Sequence, residues 1–169
     1  MSSVTDVRLV RPARKFEASF NQMLTPYRRA GEQRYSLFFT CGKPDLSLYL
    51  QKSSELESKT NAPDSAPLST YWLTEGDNIV GVIRIQHRLT ESNAEVGGHI
   101  GFDVPHAHRG KGYGTVRLGL SLQMAKEFGI NCALLACTKG NMASEKIIER
   151  NGGKFENEVW WDKQGAILD

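Results

Sequence analysis

A basic, glycine-rich turn is the stretch of this sequence with the clearest chemical meaning. Residues 109–115 have the sequence Arg-Gly-Lys-Gly-Tyr-Gly-Thr and precede a long helical pattern. Closely spaced glycines let a ligand approach the backbone, and the free N–H groups of a helix N-terminus attract anions. Arg109, Lys111 and Arg117 add positive charge with no acidic residue between them, which a bound anion would offset. The turn therefore predicts a phosphate-bearing ligand; the alternative is a plain strand-to-helix connection with solvated Lys and Arg.

Spacing argues against two common phosphate-binding motifs. A P-loop has Ser or Thr directly after its Lys, whereas Gly112 follows Lys111 here, and Pro105 stands where the first Gly would be. A dinucleotide-binding fingerprint has glycines at i, i+2 and i+5, but the third position counted from Gly110 is Thr115. Nucleotide hydrolysis and nicotinamide chemistry are therefore both disfavoured.

Hydrophobic periodicity and turn residues predict the elements that position this turn. The helix after the turn has a broad apolar stripe and ends at Gly129. In chain order, the predicted elements are strand Val4–Arg11, helix Arg14–Glu32, a helix capped by Asp45, strands Thr70–Thr74, Ile79–His87 and Glu95–Val104, the helix after the turn, strand Asn131–Thr138, helix Ser144–Arg150 and a hairpin of Phe155–Trp161 with Ala166–Leu168. This order predicts an α+β fold around one mixed sheet.

Composition limits the classes of protein that fit. A length of 169 residues suits one domain, residues 1–169, and a net charge of +2 gives no support to a nucleic-acid or acidic membrane partner. No signal peptide or long apolar run is visible, so we expect a cytoplasmic protein with reduced cysteines. Cys132 and Cys137 lie in the predicted apolar strand and are expected to be buried. His106 and His108 form a His-x-His pair, but no further ligands stand nearby and no metal is expected.

Two motifs together resemble those of the GNAT superfamily of N-acetyltransferases. The pattern Arg109-x-x-Gly112-x-Gly114 resembles the loop that binds the pyrophosphate of acyl-CoA. The sequence Asn-Met-Ala-Ser at 141–144, followed by a helix and Gly-Gly at 152–153, is similar to the second motif of the family. The resemblance covers roughly residues 78–159 and is closest to predicted acetyltransferases of unsettled substrate.

The resemblance implies a fold, a reaction and a binding site. It implies a central, mixed but mostly antiparallel sheet flanked by about four helices, and direct transfer of an acetyl group from acetyl-CoA to a primary amine in a ternary complex. Backbone groups of Phe102 and Val104 would hold the pantetheine arm, and the Val104 amide would polarise the thioester carbonyl. The residues assigned to acetyl-CoA are Phe102, Val104, Arg109, Gly110, Lys111, Gly112, Tyr113, Gly114, Thr115, Asn141 and Ser144. For Lys111 solvation, and for Asn141 a plain helix-capping role, remain alternatives.

The group that accepts the amine proton is sought in the predicted strand Glu95–Val104. Strand alternation places His99 on one face with Glu95, Gly97 and Gly101, and the glycines leave room for a substrate. The ordinary histidine pKa, about 6.5, suits proton acceptance near neutral pH. Many members of the family use a Glu from this strand, so Glu95 is the rival base. A structural hydrogen-bonding role for His99 stays open.

One position departs from the family pattern. Many members carry a Tyr in the second-motif helix that protonates the departing thiolate, and Ile148 occupies that position here. This departure keeps open a second function, a catalytically weak acyl-CoA-binding or sensing module on the same fold. The acceptor amine is not identifiable from the sequence, and a homodimer is a further possibility.

Overall fold

The described part of the chain, residues 6–60, 62, 64–161, 167 and 168 of a computed structural model, contains short strands and four α-helices. In chain order the elements are β1 (Val7–Val10), α1 (Glu17–Arg29), β2 (Phe39–Thr40), β3 (Lys43–Pro44), α2 (Leu46–Glu57), β4 (Leu68–Glu75), β5 (Asn78–Gln86), β6 (Ile100–Asp103), α3 (Tyr113–Glu127), α4 (Met142–Arg150), β7 (Trp160–Trp161) and β8 (Ile167–Leu168). Short helical segments of other types occur at Arg14–Phe16, Gln33–Phe38, Asn93–Gly97 and His106–His108, and the second of these has a kink at Tyr35.

One antiparallel sheet of four strands, in the order β1-β4-β5-β6, forms the centre of the fold. β4 and β5 form the predicted hairpin, with Glu75 paired to Asn78 at its turn. β2–β3 and β7–β8 form separate two-stranded ladders. The pairing of the predicted C-terminal hairpin is confirmed, but its first strand covers only Trp160–Trp161 and not residues 155–159, and its turn, 162–165, lies outside the described residues. The predicted α+β class, with about four helices around the sheet, is confirmed.

The two faces of the sheet are covered by different pairs of helices. Neighbouring residues of a strand point to opposite faces, so Trp72 and Val82 pack beneath α1 and α2 while Tyr71 and Ile83 pack beneath α3. The side of α1 and α2 is rich in aromatic rings, and its buried members are Phe16, Phe20, Tyr27, Tyr35, Tyr49 and Trp72. This packing leaves β6 at one edge of the sheet, directly before the glycine-rich turn.

The second helix begins at the cap that the sequence predicts. The Asp45 carboxylate accepts the N–H of Leu48 at 2.9 Å and the hydroxyl of Thr40 at 2.7 Å. These hydrogen bonds, first the one from Leu48, lower the pKa of Asp45 because they stabilise its charged form. Within the described residues, no helix is both long and apolar enough to cross a membrane.

The strand predicted at Glu95–Val104 is shorter than expected. Residues Asn93–Gly97 form a helical turn, and β6 begins only at Ile100. Gly98 joins the two with a φ of 73°, and a Cβ atom at this position would collide with the backbone of Leu134. The prediction that Glu95 and His99 share a strand face is therefore wrong, because the close approach of Leu134 replaces regular pairing here.

The segment 131–138, predicted as a covered strand, pairs with the sheet only at one point. The bridge Gly98–Leu135 is antiparallel, and the N–H of His99 donates to the Leu134 carbonyl at 2.7 Å. The Leu134 N–H donates not to a backbone carbonyl but to Nδ1 of His99, at 3.0 Å, which interrupts a regular ladder. Cys132 and Cys137 are exposed, so the prediction that they are buried is wrong.

Candidate active site

The glycine-rich turn exposes its backbone at the start of α3. Gly112 caps the helix with a φ of 84°, a conformation that residues with a side chain rarely adopt. A Cβ atom at Gly110 or Gly112 would meet nothing within 4 Å. Lys111 between them is exposed, and the first turn of α3 holds no acidic residue. The turn therefore combines open backbone, local positive charge and the positive end of a helix dipole.

Residues 113–115, the second half of the predicted motif, make contacts within the protein. The side chain of Tyr113 is buried, and its hydroxyl donates to Glu75 Oε2 at 3.0 Å. Gly114 lies against the Ile147 side chain, which a Cβ atom at this position would displace. The Thr115 N–H donates to the Gly112 carbonyl at 3.2 Å. Of the predicted pyrophosphate ligands, those at 109–112 are the exposed ones.

The side chain of Arg109, which belongs to the turn, contacts the backbone just after β6. Its Nε donates to the carbonyl oxygen of Val104 at 3.1 Å. The hydroxyl of Tyr27 lies 3.4 Å from the same oxygen, and the Arg109 guanidinium lies 5.9 Å from the centre of the Tyr27 ring. Arg109 therefore fixes the loop between β6 and the turn at the Val104 carbonyl, whereas the single Tyr27 hydroxyl proton is donated to Asp103.

The outer edge of β6 presents backbone groups that have no hydrogen-bond partner among the described residues. The Gln86 N–H donates to the His99 carbonyl at 2.7 Å, and the ladder continues in the same register to Asp103. Hydrogen-bonded pairs alternate along an antiparallel ladder, so Asp103 belongs to a hydrogen-bonded pair and Phe102 does not. The N–H and C=O of Phe102 and the N–H of Val104 therefore point away from β5, towards the open edge of the sheet.

The two predicted bases lie at the far end of β6 from Val104. His99 stands five residues before Val104, which corresponds to about 16 Å along an extended strand. Nδ1 of His99 already accepts the Leu134 N–H, and burial lowers the pKa of the imidazole. Glu95 is exposed in the turn before the strand. The structure thus brings neither of them close to the end of β6.

A buried polar cluster around Asp103 is the main feature that the sequence reasoning missed. Tyr27 and Tyr35 both donate their hydroxyls to Oδ2 of Asp103, the latter at 3.0 Å, and Arg34 Nη1 lies 3.3 Å from Oδ1. Burial, and then the Asp103 charge, raises the pKa of both tyrosines. The one available signal was a carboxylate in an otherwise apolar strand.

Arg117 does not face the turn, contrary to the sequence interpretation of the local charge. Its side chain is fully buried against the sheet, and Nη1 donates to the carbonyl oxygen of Asp103 at 2.6 Å. Burial lowers the pKa of this guanidinium to about 10, although the Asp103 charge opposes the shift, so it stays charged near neutral pH. The basic side chains at the turn itself are Arg109 and Lys111.

The start of α4 shows the capping arrangement. Oδ1 of Asn141 accepts the Ser144 N–H at 3.2 Å, and both residues lie at the helix N-terminus. Ile148, at the position where the family often has Tyr, is partly buried and packs into the core beneath α3. This side chain has no proton to donate.

Two cavities lie near α1. One of about 360 Å³ is lined by Thr25, Arg28, Arg29, Phe39, Gly42 and Pro44. The other, of about 70 Å³, lies between α1 and residues 105–108, directly before the turn. None of the predicted acetyl-CoA ligands lines either of these two cavities.

The match to a known family covers most of the chain. The model of the Acetyltransferase (GNAT) domain matches residues 28–154, a range that includes α2, α3, α4 and the glycine-rich turn. The chain belongs to the GNAT acetyltransferase family. No curated protein matches the chain.

Solved structures of GNAT proteins share the fold. The acetyltransferase of GNAT family from Streptococcus pneumoniae is 16% identical, with 96% of this chain and 93% of that chain covered and a TM-score of 0.54. The microcin C7 self-immunity acetyltransferase MccE, solved with acetyl-CoA and AMP, is 14% identical, with 88% and 78% covered and a TM-score of 0.53. At these identities the likeness concerns the GNAT fold, which confirms the predicted architecture.

Proposed function

We propose that the protein is an N-acetyltransferase that moves an acetyl group from acetyl-CoA directly to a primary amine. The observation that carries this proposal is that an open strand edge is followed, a few residues later in the chain, by an exposed glycine-rich turn. The open edge of β6 presents the N–H of Val104, and the exposed turn at Gly110–Gly112 begins six residues later. An extended thioester arm ending in a pyrophosphate matches this succession of a free strand edge and an anion-binding helix start. Membership of the GNAT family supports the same assignment.

The Val104 N–H has the central role in the proposed reaction. The amine nitrogen forms a bond to the thioester carbon, the C–S bond breaks, and the amine loses one proton. Negative charge develops on the carbonyl oxygen during this step, and a fixed backbone donor stabilises it. The exposed groups of Arg109, Gly110, Lys111 and Gly112 bind the pyrophosphate.

The base and the acid of this reaction stay predictions. His99 is neutral near pH 7 because burial lowers its pKa, but its Nδ1 lone pair is taken by Leu134. Acting as a base would require breaking this bond, so Glu95 and solvent remain competitors. With Ile148 in the acid position, the thiolate leaves unprotonated or takes a proton from solvent; a thiol pKa of about 8.5 makes this feasible. Unchanged turnover in both His99→Ala and Glu95→Ala would remove the two assignments.

The proposal is tested by calorimetric titration of the protein with acetyl-CoA. We expect a dissociation constant on the order of micromolar, lost in Gly112→Glu because the new carboxylate repels the pyrophosphate. Gly129→Glu is the matched control, since Gly129 has a φ of 79°, is also open and lies at the other end of α3. Equal loss in both variants, or no binding to the wild type, would contradict the proposal. A panel of small amines, amino acids and peptides then identifies the acceptor.

A binding or sensing module remains the second candidate, and the observation behind it is Ile148. The two functions differ in whether acetyl-CoA is consumed. Release of free thiol in the presence of any amine of the panel supports the enzyme; tight binding without thiol release across the panel supports the module. A cytoplasmic location and a homodimer stay predictions, the latter tested by sedimentation of the purified protein.

A further inference from the structure

Arg117 is a buried cation whose hydrogen-bonding capacity is mostly unused. It is 0% exposed, and its Nη1 makes one hydrogen bond, to the Asp103 carbonyl. Nε and Nη2 have no partner among the described residues, and the guanidinium lies 4.7 Å from the centre of the Phe102 ring. A buried charge with unsatisfied donors is unfavourable for folding, so stability alone does not explain this residue.

The sheet makes room for Arg117 at one position. Gly81 lies in the interior of β5, where glycine weakens a strand and often marks a close approach of another group. A Cβ atom at Gly81 would lie 3.0 Å from Cδ and 3.1 Å from Nη1 of Arg117. The path of the Arg117 side chain towards Asp103 therefore depends on the missing side chain at Gly81.

The carbonyl that Arg117 contacts belongs to the peptide group that ends in the Val104 N–H. In a trans peptide the C=O and the N–H point in opposite directions. The ladder with β5 holds the Asp103 carbonyl on the β5 side, so the Val104 N–H points to the open edge, and Arg117 adds a charged second donor to the same carbonyl oxygen. A charged donor on the carbonyl also polarises the peptide group, and hydrogen bonds in such a chain strengthen one another.

We propose that Arg117 is a positioning residue that polarises the Asp103–Val104 peptide through its carbonyl oxygen, so that the Val104 N–H becomes a stronger donor to the thioester carbonyl. This inference rests on the proposed function. Arg117, a residue of α3, would thus influence the thioester carbonyl without touching it. The expected consequence is a change in the bound thioester itself, rather than in the affinity for acetyl-CoA.

Infrared and carbon-13 NMR spectra of acetyl-CoA, labelled at the thioester carbonyl and bound to the protein, measure this polarisation directly. In the wild type we expect the carbonyl stretching band to shift to lower frequency relative to free acetyl-CoA. Arg117→Met should lose at least half of this shift while the dissociation constant changes less than threefold. Arg117→Lys should retain part of it, and Gly81→Ala should reduce it by displacing the guanidinium. Arg150→Met, which removes an exposed arginine of α4, is the control and should keep the full shift.

The outcomes separate the inference from the function on which it rests. Absence of acetyl-CoA binding to the wild type overturns the proposed function. Binding with an unshifted carbonyl band in the wild type overturns both the proposed Val104 contact and the role of Arg117. An Arg117→Met band that matches a shifted wild-type band overturns the role of Arg117 alone. If Arg117→Met does not fold, as judged by circular dichroism, the Gly81→Ala and Arg117→Lys spectra decide the question by the same criterion. Once an acceptor is known, Arg117→Met should lower kcat by about tenfold or more with little change in KM for acetyl-CoA.

Discussion

The hydroxyl of Tyr35 donates to the carboxylate of Asp103 at 3.0 Å, across a sequence separation of 68 residues. This contact ties the turn after α1 to the end of β6, next to the peptide group that we assign to the thioester. Both residues are buried, and Tyr27 occupies the same carboxylate oxygen. The geometry of the candidate site therefore depends on the side of the sheet opposite to α3.

Removing this hydroxyl should destabilise the protein. We expect Tyr35→Phe to lower the free energy of unfolding by about 1–2 kcal/mol, because a buried carboxylate loses one of its donors. Tyr113→Phe is the control, since it removes a hydroxyl bond of equal length to the partly exposed Glu75. Urea denaturation of both variants measures the difference. If Tyr113→Phe lowers the free energy of unfolding as much as Tyr35→Phe does, the effect does not depend on burial of the accepting carboxylate.

Two glycines near the start of β6 should respond in opposite ways to alanine. Gly98 has a φ of 73° and no room beside the Leu134 backbone, whereas a Cβ atom at Gly101 would meet nothing within 4 Å. Gly98→Ala should therefore destabilise the protein by at least about 2 kcal/mol. Gly101→Ala should be neutral or stabilising by up to about 1 kcal/mol, because alanine has less conformational entropy to lose. Thermal or urea unfolding of the pair tests this, and a stable Gly98→Ala would contradict the close approach of residue 134.

Asn141 allows capping and ligand binding to be separated. Asn141→Ala should weaken α4 by about 1 kcal/mol through loss of the bond to the Ser144 N–H. Asn141→Asp keeps an equally good cap but removes the amide donor. If Asn141 contacts acetyl-CoA through its amide, both variants lose affinity in calorimetry, while only the alanine variant loses stability. Full affinity in Asn141→Asp would leave the residue with the capping role alone.

The stability of the protein should fall on mild acidification. Burial lowers the pKa of His87 and His99 in the folded protein. Above about pH 6.5 these imidazoles are neutral in both states, and their contribution is fully present. As the pH falls below that value, the unfolded chain takes up protons that the folded protein does not, so stability is lost.

Unfolding in urea between pH 8 and pH 5 measures this dependence. His99→Gln and His87→Gln should each flatten the curve between about pH 6.5 and 5, since one proton-binding group is removed from the unfolded chain. A stability that rises towards pH 5 in the wild type would contradict neutral, buried imidazoles. Losses that begin only below pH 4.5 would point to carboxylates such as Glu57, whose pKa is lowered by Ser69 and Arg11 against the effect of burial.

Features that depend on local chemistry were predictable from the sequence. The Asp45 cap, the β4–β5 hairpin, the helix that starts at the glycine-rich turn and its end before Gly129 all arise from residues close together in the chain. Capping, turn conformation and hydrophobic periodicity act over a few residues, so the sequence alone contains the necessary information. Anion binding by the turn stays a prediction.

Only the tertiary structure decided which distant groups meet. The apolar segment 131–138 has the pattern of a covered strand. In the structure, however, the Leu134 N–H donates to the His99 imidazole, and pairing with the sheet is limited to the bridge Gly98–Leu135. Arg117 stands in a basic stretch of sequence, yet the gap at Gly81 lets it turn into the sheet and contact Asp103. These outcomes depend on how helices and strands pack across the sheet, and periodicity within one segment contains no information about which partner lies opposite.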